Sequence, residues 1–280
     1  MVFKDKIGIE GIVLKKPSEI YKVLSETISV NKARLSFVQM MFLGMLAGMF
    51  IGFGAIYAMI VMSGVEPFGI KKLLGGIVFS VGLMMIVIAG AELFTGNVLM
   101  TFGVLTKKIS FKALVRNWFW VYVFNFLGSI ILAWLLLKTY LWGNATSLNE
   151  FGATILSIGS SKATLSFSQA FFRGMLCNIL VNAAVIVSTA SEQVVGKILG
   201  ILFVISAFVA SGFEHSVANM FFLPAAMFVK HAVSPDIASN FANLSWVNSL
   251  KNILSVTIGN IVGPIVFIVL PYYFTYLRKH

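Results

Sequence analysis

"SGFEHSVANM" (211–220) sets Glu214 and His215 in the middle of a long apolar run. An acid beside an imidazole is costly in hydrocarbon, so groups of this kind inside a membrane span serve a function by default. The stretch has a counterpart in the same chain, "AGAELFTGN" (89–97). Gly90, Glu92 and Asn97 match Gly212, Glu214 and Asn219 at one constant offset of 122 positions.

The surrounding composition says what medium these stretches occupy. The chain has 280 residues, 59% hydrophobic and 11% charged, against about 25% charged in a soluble domain. "FVQMMFLGMLAGMFIGFGAIYAMIVM" (37–62) carries no charge and exceeds the roughly 20 residues that cross hydrocarbon as a helix. A polytopic, all-α membrane protein is expected. Six apolar segments are read at about 35–62, 73–102, 117–141, 169–190, 197–228 and 250–277. Segments two and five exceed one crossing, and each has polar residues near its middle. Such interruptions are tolerated at membrane depth only where protein or a cavity surrounds the freed backbone groups.

The match between the two stretches extends along the chain. "GML" at 44–46 recurs at 174–176, and Asn125 and Gly128 match Asn260 and Gly263. Each half (about 35–141 and 169–277) then holds three spans. An odd number requires the copies to run in opposite directions, and inverted repeats place a working site near the midplane, between the interrupted helices. Residues 35–280 read as one transmembrane domain. Residues 1–34 lack the apolar core of a signal peptide. There, Pro17 and Ser18 open an amphipathic helix with Ile20, Val23, Leu24 and Ile28 on one face, lying in the membrane interface; the other reading is a basic tail.

The net charge of +11 forms no aromatic-interleaved stripe, which argues against nucleic acid. Instead, 14 of the 21 Lys and Arg fall on the face shared by both termini, which puts the termini in the cytoplasm; the cell's inner (plasma) membrane is the expected location. The single Cys177 excludes an internal disulfide or a multi-cysteine metal site. Zinc-protease, P-loop and nucleophile-elbow motifs are missing from the sequence, and adjacent helical residues such as Glu214 and His215 point about 100° apart. No enzyme, cofactor or metal is expected.

His215 is the one histidine inside a span, a candidate for proton handling or for a structural hydrogen bond. Glu92 and Glu214 either carry protons or satisfy backbone N–H groups freed at the breaks; their duplication favours the architectural role, shared with Asn97 and Asn219. Lys162 falls between spans three and four, as a solvated loop charge or a collector of anions at an entrance. Thr95, Asn178 and Asn260 offer neutral hydrogen-bonding groups. Gly44, Gly48 and Gly52 line one helix face for close packing. Phe79, Leu83, Phe94 and Phe208 lie near the breaks, where apolar side chains can constrict a pore.

"AELFTGN" (91–97), "AFFRGMLCN" (170–178), "GFEHSVANMFFLP" (212–224) and "TIGNIVG" (257–263) resemble the characteristic blocks of the formate/nitrite transporter family. The resemblance implies an aquaporin-like six-span protomer in a homopentamer, with one pore per protomer in the lipid bilayer. It implies passage of small monovalent anions of weak acids, formate first, with nitrite, hydrosulfide or lactate as alternatives. By motif position His215 is similar to the family's central histidine, which involves a proton in transport, and Thr95 to the threonine of the break in span two. Lys162 resembles the lysine that draws anions inward. Asn178 and Asn260 resemble its pore-lining asparagines. Leu83, Phe94 and Phe208, with Phe79 nearby, resemble its constrictions, and Glu214 the glutamate before the histidine.

Overall fold

Where water is excluded, a backbone must satisfy its own N–H and C=O groups, so long apolar runs fold as helices. A computed structural model describes residues 14–278, and these are all-helical apart from two isolated bridges, Leu14 to Ser191 and Gly143 to Leu148. Five helices are long and apolar enough to cross a membrane: α2 (Phe37–Met62), α3 (Phe68–Ala89), α5 (Phe111–Lys138), α7 (Phe167–Ala190) and α11 (Trp246–Leu277). Shorter helices among the described residues include α4 (Gly96–Leu105), α6 (Glu150–Ala163), α8 (Val194–Ala210), α9 (Ser216–Ala232) and α10 (Pro235–Ser239). Segment two of the sequence reading is α3 plus α4, and segment five is α8 plus α9.

The first helix, α1, runs through Pro17–Val23, a π-helical stretch Leu24–Ile28, and Ser29–Ala33. Its buried face is Ile20, Tyr21 and Leu24, packed with Leu99, Phe102, Ile186 and Val269 of the helical body. Of the expected face, Ile20 and Leu24 are buried, Ile28 packs half-buried against the same cluster and Val23 is half-buried, while Tyr21 joins them. The Ser29 hydroxyl donates five residues back to the Leu24 carbonyl at 2.7 Å. Tyr21 stacks on Tyr272 and Tyr276 with ring centroids 4.4 and 5.3 Å apart, tying α1 to the end of α11. Burial and the neighbouring Tyr272 phenol both raise the Tyr21 pKa. Residues 1–13 of the expected N-terminal segment lie outside the described residues.

Two helix pairs approach backbone to backbone, and they correspond. A Cβ on Gly48 of α2 would sit 2.1 Å from the Asn125 carbonyl oxygen of α5, and one on Gly128 2.1 Å from that of Met45. In the other half, a Cβ on Gly259 of α11 would lie 2.1 Å from the Phe171 carbonyl oxygen of α7, and one on Gly263 2.4 Å from that of Met175. Small residues at these crossings permit the close packing that stands in for a hydrophobic drive in lipid. The two leading helices also start alike: Ser36 and Gln39 cap α2 reciprocally, as Ser166 and Gln169 cap α7.

Gly48→Val should therefore prevent the α2–α5 approach and abolish recovery of monodisperse protein on size-exclusion chromatography. Gly69→Ala, where an added Cβ meets nothing within 4 Å, should leave the elution profile and melting temperature unchanged.

Candidate functional site

The two interruptions begin the same way. After Ala89 the chain turns at Gly90 (φ 86°), and after Ala210 it turns at Gly212 (φ 73°). Only glycine adopts this left-handed conformation without steric cost, so these two positions explain the matched glycines. Each turn releases backbone groups that need partners.

Two asparagines supply them. The Asn125 amide donates to the carbonyls of Gly44 and Glu92, both at 2.8 Å, and its oxygen accepts the Phe94 N–H at 2.9 Å. Asn260 repeats the clamp: its amide donates to the carbonyls of Gly174 (2.8 Å) and Glu214 (3.0 Å), and its oxygen accepts the Ser216 N–H at 2.8 Å. The expectation that Glu92 and Glu214 would accept those free N–H groups is corrected here. A neutral amide serves both a donor and an acceptor need at once, which a carboxylate cannot do.

The carboxylates sit one layer out, each in a closed ring. Glu214 accepts from Lys162 Nζ at 2.9 and 3.0 Å and from the Asn219 amide at 2.6 Å. Asn219 also donates to Asn252 Oδ1 at 2.7 Å, and Asn252 donates back to the Lys162 carbonyl at 2.8 Å. Glu92 accepts from Lys32 and Asn97, Asn97 donates to Asn117 Oδ1, and Asn117 donates to the Lys32 carbonyl. Lys162 is therefore not a loop charge. It ends α6 with its side chain 14% exposed, paired to a 6%-exposed Glu214 side chain. The sequence reading missed α6 because fourteen residues fall short of a span, and it missed Lys32, Asn117 and Asn252 as ring members. A signal was present: "KARLSFVQMMFLGML" (32–46) aligns with "KATLSFSQAFFRGML" (162–176).

Against this duplicated frame the unmatched residues stand out. At the offset that equates Glu92 with Glu214, Thr95 corresponds to Val217 and His215 to Leu93. Thr95 Oγ1 and His215 Nε2 meet at 2.8 Å, joining the two break loops, and both residues are buried. His215 is also the N-cap of α9, its Nδ1 accepting the Ala218 N–H at 3.1 Å. An Nδ1 that accepts leaves the proton on Nε2, so Nε2–H donates to Thr95 Oγ1. The threonine's own hydroxyl proton is then available to a third group. The Thr95 carbonyl accepts from the amides of Asn178 and Asn182, each at 3.1 Å.

Two cavities approach this contact and share no lining residue. One, about 480 Å³, is lined by Lys32, Leu83, Glu92, Leu93 and Gly96 among others. The other, about 270 Å³, is lined by Lys72, Phe79, Lys162, Phe208, Glu214 and His215 among others. Phe79, which lines the second, and Leu83, which lines the first, are about one turn apart on α3, roughly 6 Å along the helix axis. Phe79 and Phe208 meet edge to face at 5.7 Å, and Phe208 lies 6.1 Å from the His215 ring. Phe94 packs on Tyr122 and Trp118 with centroids at 4.9 and 6.1 Å, and lines neither cavity. Asn178 and Asn260 also sit behind the cavity walls. The second cavity holds three basic side chains, Lys72, Lys162 and Arg173, against one carboxylate, Glu214. Among the described residues no group of three His, Cys, Asp or Glu could hold a metal ion.

Removing one member of a buried ion pair leaves the other uncompensated, at a cost of about 3–5 kcal/mol. Lys162→Met and Glu214→Gln should each lower the melting temperature strongly. The double variant should melt above either single one, a non-additivity that thermal unfolding of the purified protein measures.

A model described as formate/nitrite transporter matches residues 18–274. A "Probable formate transporter" of Methanothermobacter thermautotrophicus is 38% identical over 96% of this chain and 100% of its own. The formate channel FocA of Escherichia coli strain K12 is 33% identical over 94% of this chain and 95% of its own. A solved structure titled pentameric formate channel with formate bound superposes with TM-score 0.77 at 36% identity, covering 86% of this chain and 98% of that one.

Proposed function

Because the chain belongs to the formate/nitrite transporter family and is a multi-pass membrane protein, we propose that it forms a homopentameric channel for small monovalent anions of weak acids, most of all formate. The observation that carries this reading is the 2.8 Å contact between Thr95 and His215, set between two separate cavities. Each protomer crosses the bilayer six times as two inverted three-helix repeats. The paired glycine crossings, asparagine clamps and Lys–Glu–Asn–Asn rings support that arrangement. The excess of Lys and Arg on one face supports a cytoplasmic side for both termini and for the interfacial helix α1.

The physics of the passage follows from charge. A bare anion loses several kcal/mol of hydration on entering an apolar constriction. Phe79 and Phe208 form that constriction on one side of the polar contact and Leu83 on the other, with Phe94 behind the wall. Lys162, partly neutralised by Glu214, concentrates anions in the adjoining cavity together with Lys72 and Arg173, which make no ion pair among the described residues. At the contact, the Thr95 hydroxyl donates to the anion while accepting from His215 Nε2–H. Proton transfer starts at the ring: Nδ1 takes up a proton, breaking the Ala218 N–H bond, and as the anion takes the Thr95 proton, Thr95 takes the Nε2 proton. The ring is cationic only until that transfer, which leaves it neutral with its proton on Nδ1, and the substrate crosses as neutral acid. The pathway residues are His215, Thr95, Lys162, Asn178 and Asn260.

In proteoliposomes, formate uptake should rise as external pH falls, and His215→Asn should flatten that dependence; an unchanged profile would remove the ring from the proton path. Competition among formate, nitrite, hydrosulfide, lactate and acetate identifies the preferred ion. Failure of formate to compete would displace it.

A further inference from the structure

Asn178 and Asn182 sit one turn apart on α7, both 0% exposed. Each amide nitrogen is held by two carbonyl acceptors: Asn178 Nδ2 by Thr95 and Asn260, and Asn182 Nδ2 by Thr95 and Asn178. Their orientations are thereby fixed, since turning either amide would set oxygen against oxygen. The same fixing leaves Asn178 Oδ1 and Asn182 Oδ1 buried without a partner among the described residues. Side chains at i and i+4 lie on one helix face, close enough for a single small molecule to reach both.

The pair is peculiar to one half of the chain. At the offset that equates Lys32 with Lys162, Asn178 and Asn182 correspond to Gly48 and Gly52. There the space is taken by protein: a Cβ on Gly48 would meet the Asn125 backbone, and one on Gly52 the side chains of Leu132 and Phe221. The two amides are thus additions to the duplicated frame, like Thr95 and His215. The larger cavity comes near this place, though Thr95, Asn178 and Asn182 themselves do not line it. Leu93 and Gly96, flanking Thr95, line it together with Val185, three residues beyond Asn182. A Cβ on Gly96 would meet only Val185, at 3.9 Å.

We propose that Asn178 Oδ1 and Asn182 Oδ1 form a two-acceptor site for an O–H donor beside Thr95, and that Asn182 is a positioning residue for the Thr95 hydroxyl. Buried acceptors require donors, and an anion has none to give. The site takes water or the hydroxyl of an undissociated acid and rejects a bare carboxylate or nitrite. Asn182 acts through the Thr95 carbonyl. With both lone pairs of that oxygen occupied, the loop is held and the hydroxyl stays aimed at His215. The positioning role deepens the proposed transport reading; the acceptor site stands without it.

The test has a structural arm and a transport arm. A structure of the full-length wild-type protein, resolved well enough to show ordered water, is determined without weak acid and again with formate at acidic pH. Density within hydrogen-bonding distance of both oxygens in both states supports the site with water as donor. Density only in the acid state supports it with the acid hydroxyl as donor. Ordered side chains with no density in either state overturn it, whatever the protein transports. In proteoliposomes, Asn182→Leu should lower maximal formate flux about tenfold, the scale of one misplaced hydrogen bond, with half-saturation little changed. Asn182→Ser, which keeps a hydroxyl and leaves room for water, should recover part of that loss. A folded Asn182→Leu protein with wild-type maximal flux overturns the positioning role.

Discussion

Two helices stop in the middle of an apolar body, and the backbone polar groups released there have no water to turn to. That constraint governs the arrangement around it. One asparagine per break, Asn125 or Asn260, satisfies donors and acceptors together. For those amides to reach the loops, α5 must lie against α2 and α11 against α7 at backbone distance, which glycine at 48, 128, 259 and 263 allows. The ion-paired rings around Glu92 and Glu214 then fasten α1 and α6 to the same loops. A buried ion pair adds little net stability, but its loss is severe. Its value here is in fixing which segments meet.

The duplicated frame separates architecture from chemistry. Residues that recur in both halves hold loops and helices. Those without a counterpart, Thr95, His215, Asn178 and Asn182, converge where the two loops touch. A pseudo-symmetric scaffold would by itself give two equivalent loops facing one another. Replacing a leucine by histidine on one side and a valine by threonine on the other yields a single donor–acceptor axis through the centre. Of the proposed pathway residues, Thr95, His215 and Asn178 are thus departures from the repeat, whereas Lys162 and Asn260 recur as Lys32 and Asn125.

Much of this was legible in the residue pattern. The membrane class, the two interrupted segments and the matched Gly, Glu and Asn positions all follow from hydrophobic run length and spacing, because hydrocarbon penalises every unsatisfied polar group. The histidine within an apolar run was equally visible. Local pattern was a poor guide to partners. Lys162 reads as a loop charge in "GSSKATL" because α6 is too short to register as a span, and Lys32 hides in a basic amphipathic segment. Asn117 and Asn252 look like ordinary polar residues near helix starts.

The sequence by itself pointed to an apolar solvent, the apolar segments, the positions matched 122 residues apart and the places where two segments break, since these depend on composition and spacing along one chain. Only the tertiary structure decided which asparagine clamps which loop, that the carboxylates face lysines rather than free N–H groups, and which histidine nitrogen accepts the Ala218 N–H. It also decided that Phe94 turns toward Tyr122 while Phe79 and Phe208 close on one another. The reason is physical: nearly all of these contacts are set by the relative placement of segments about 30 to 130 residues apart, and no local periodicity encodes that placement.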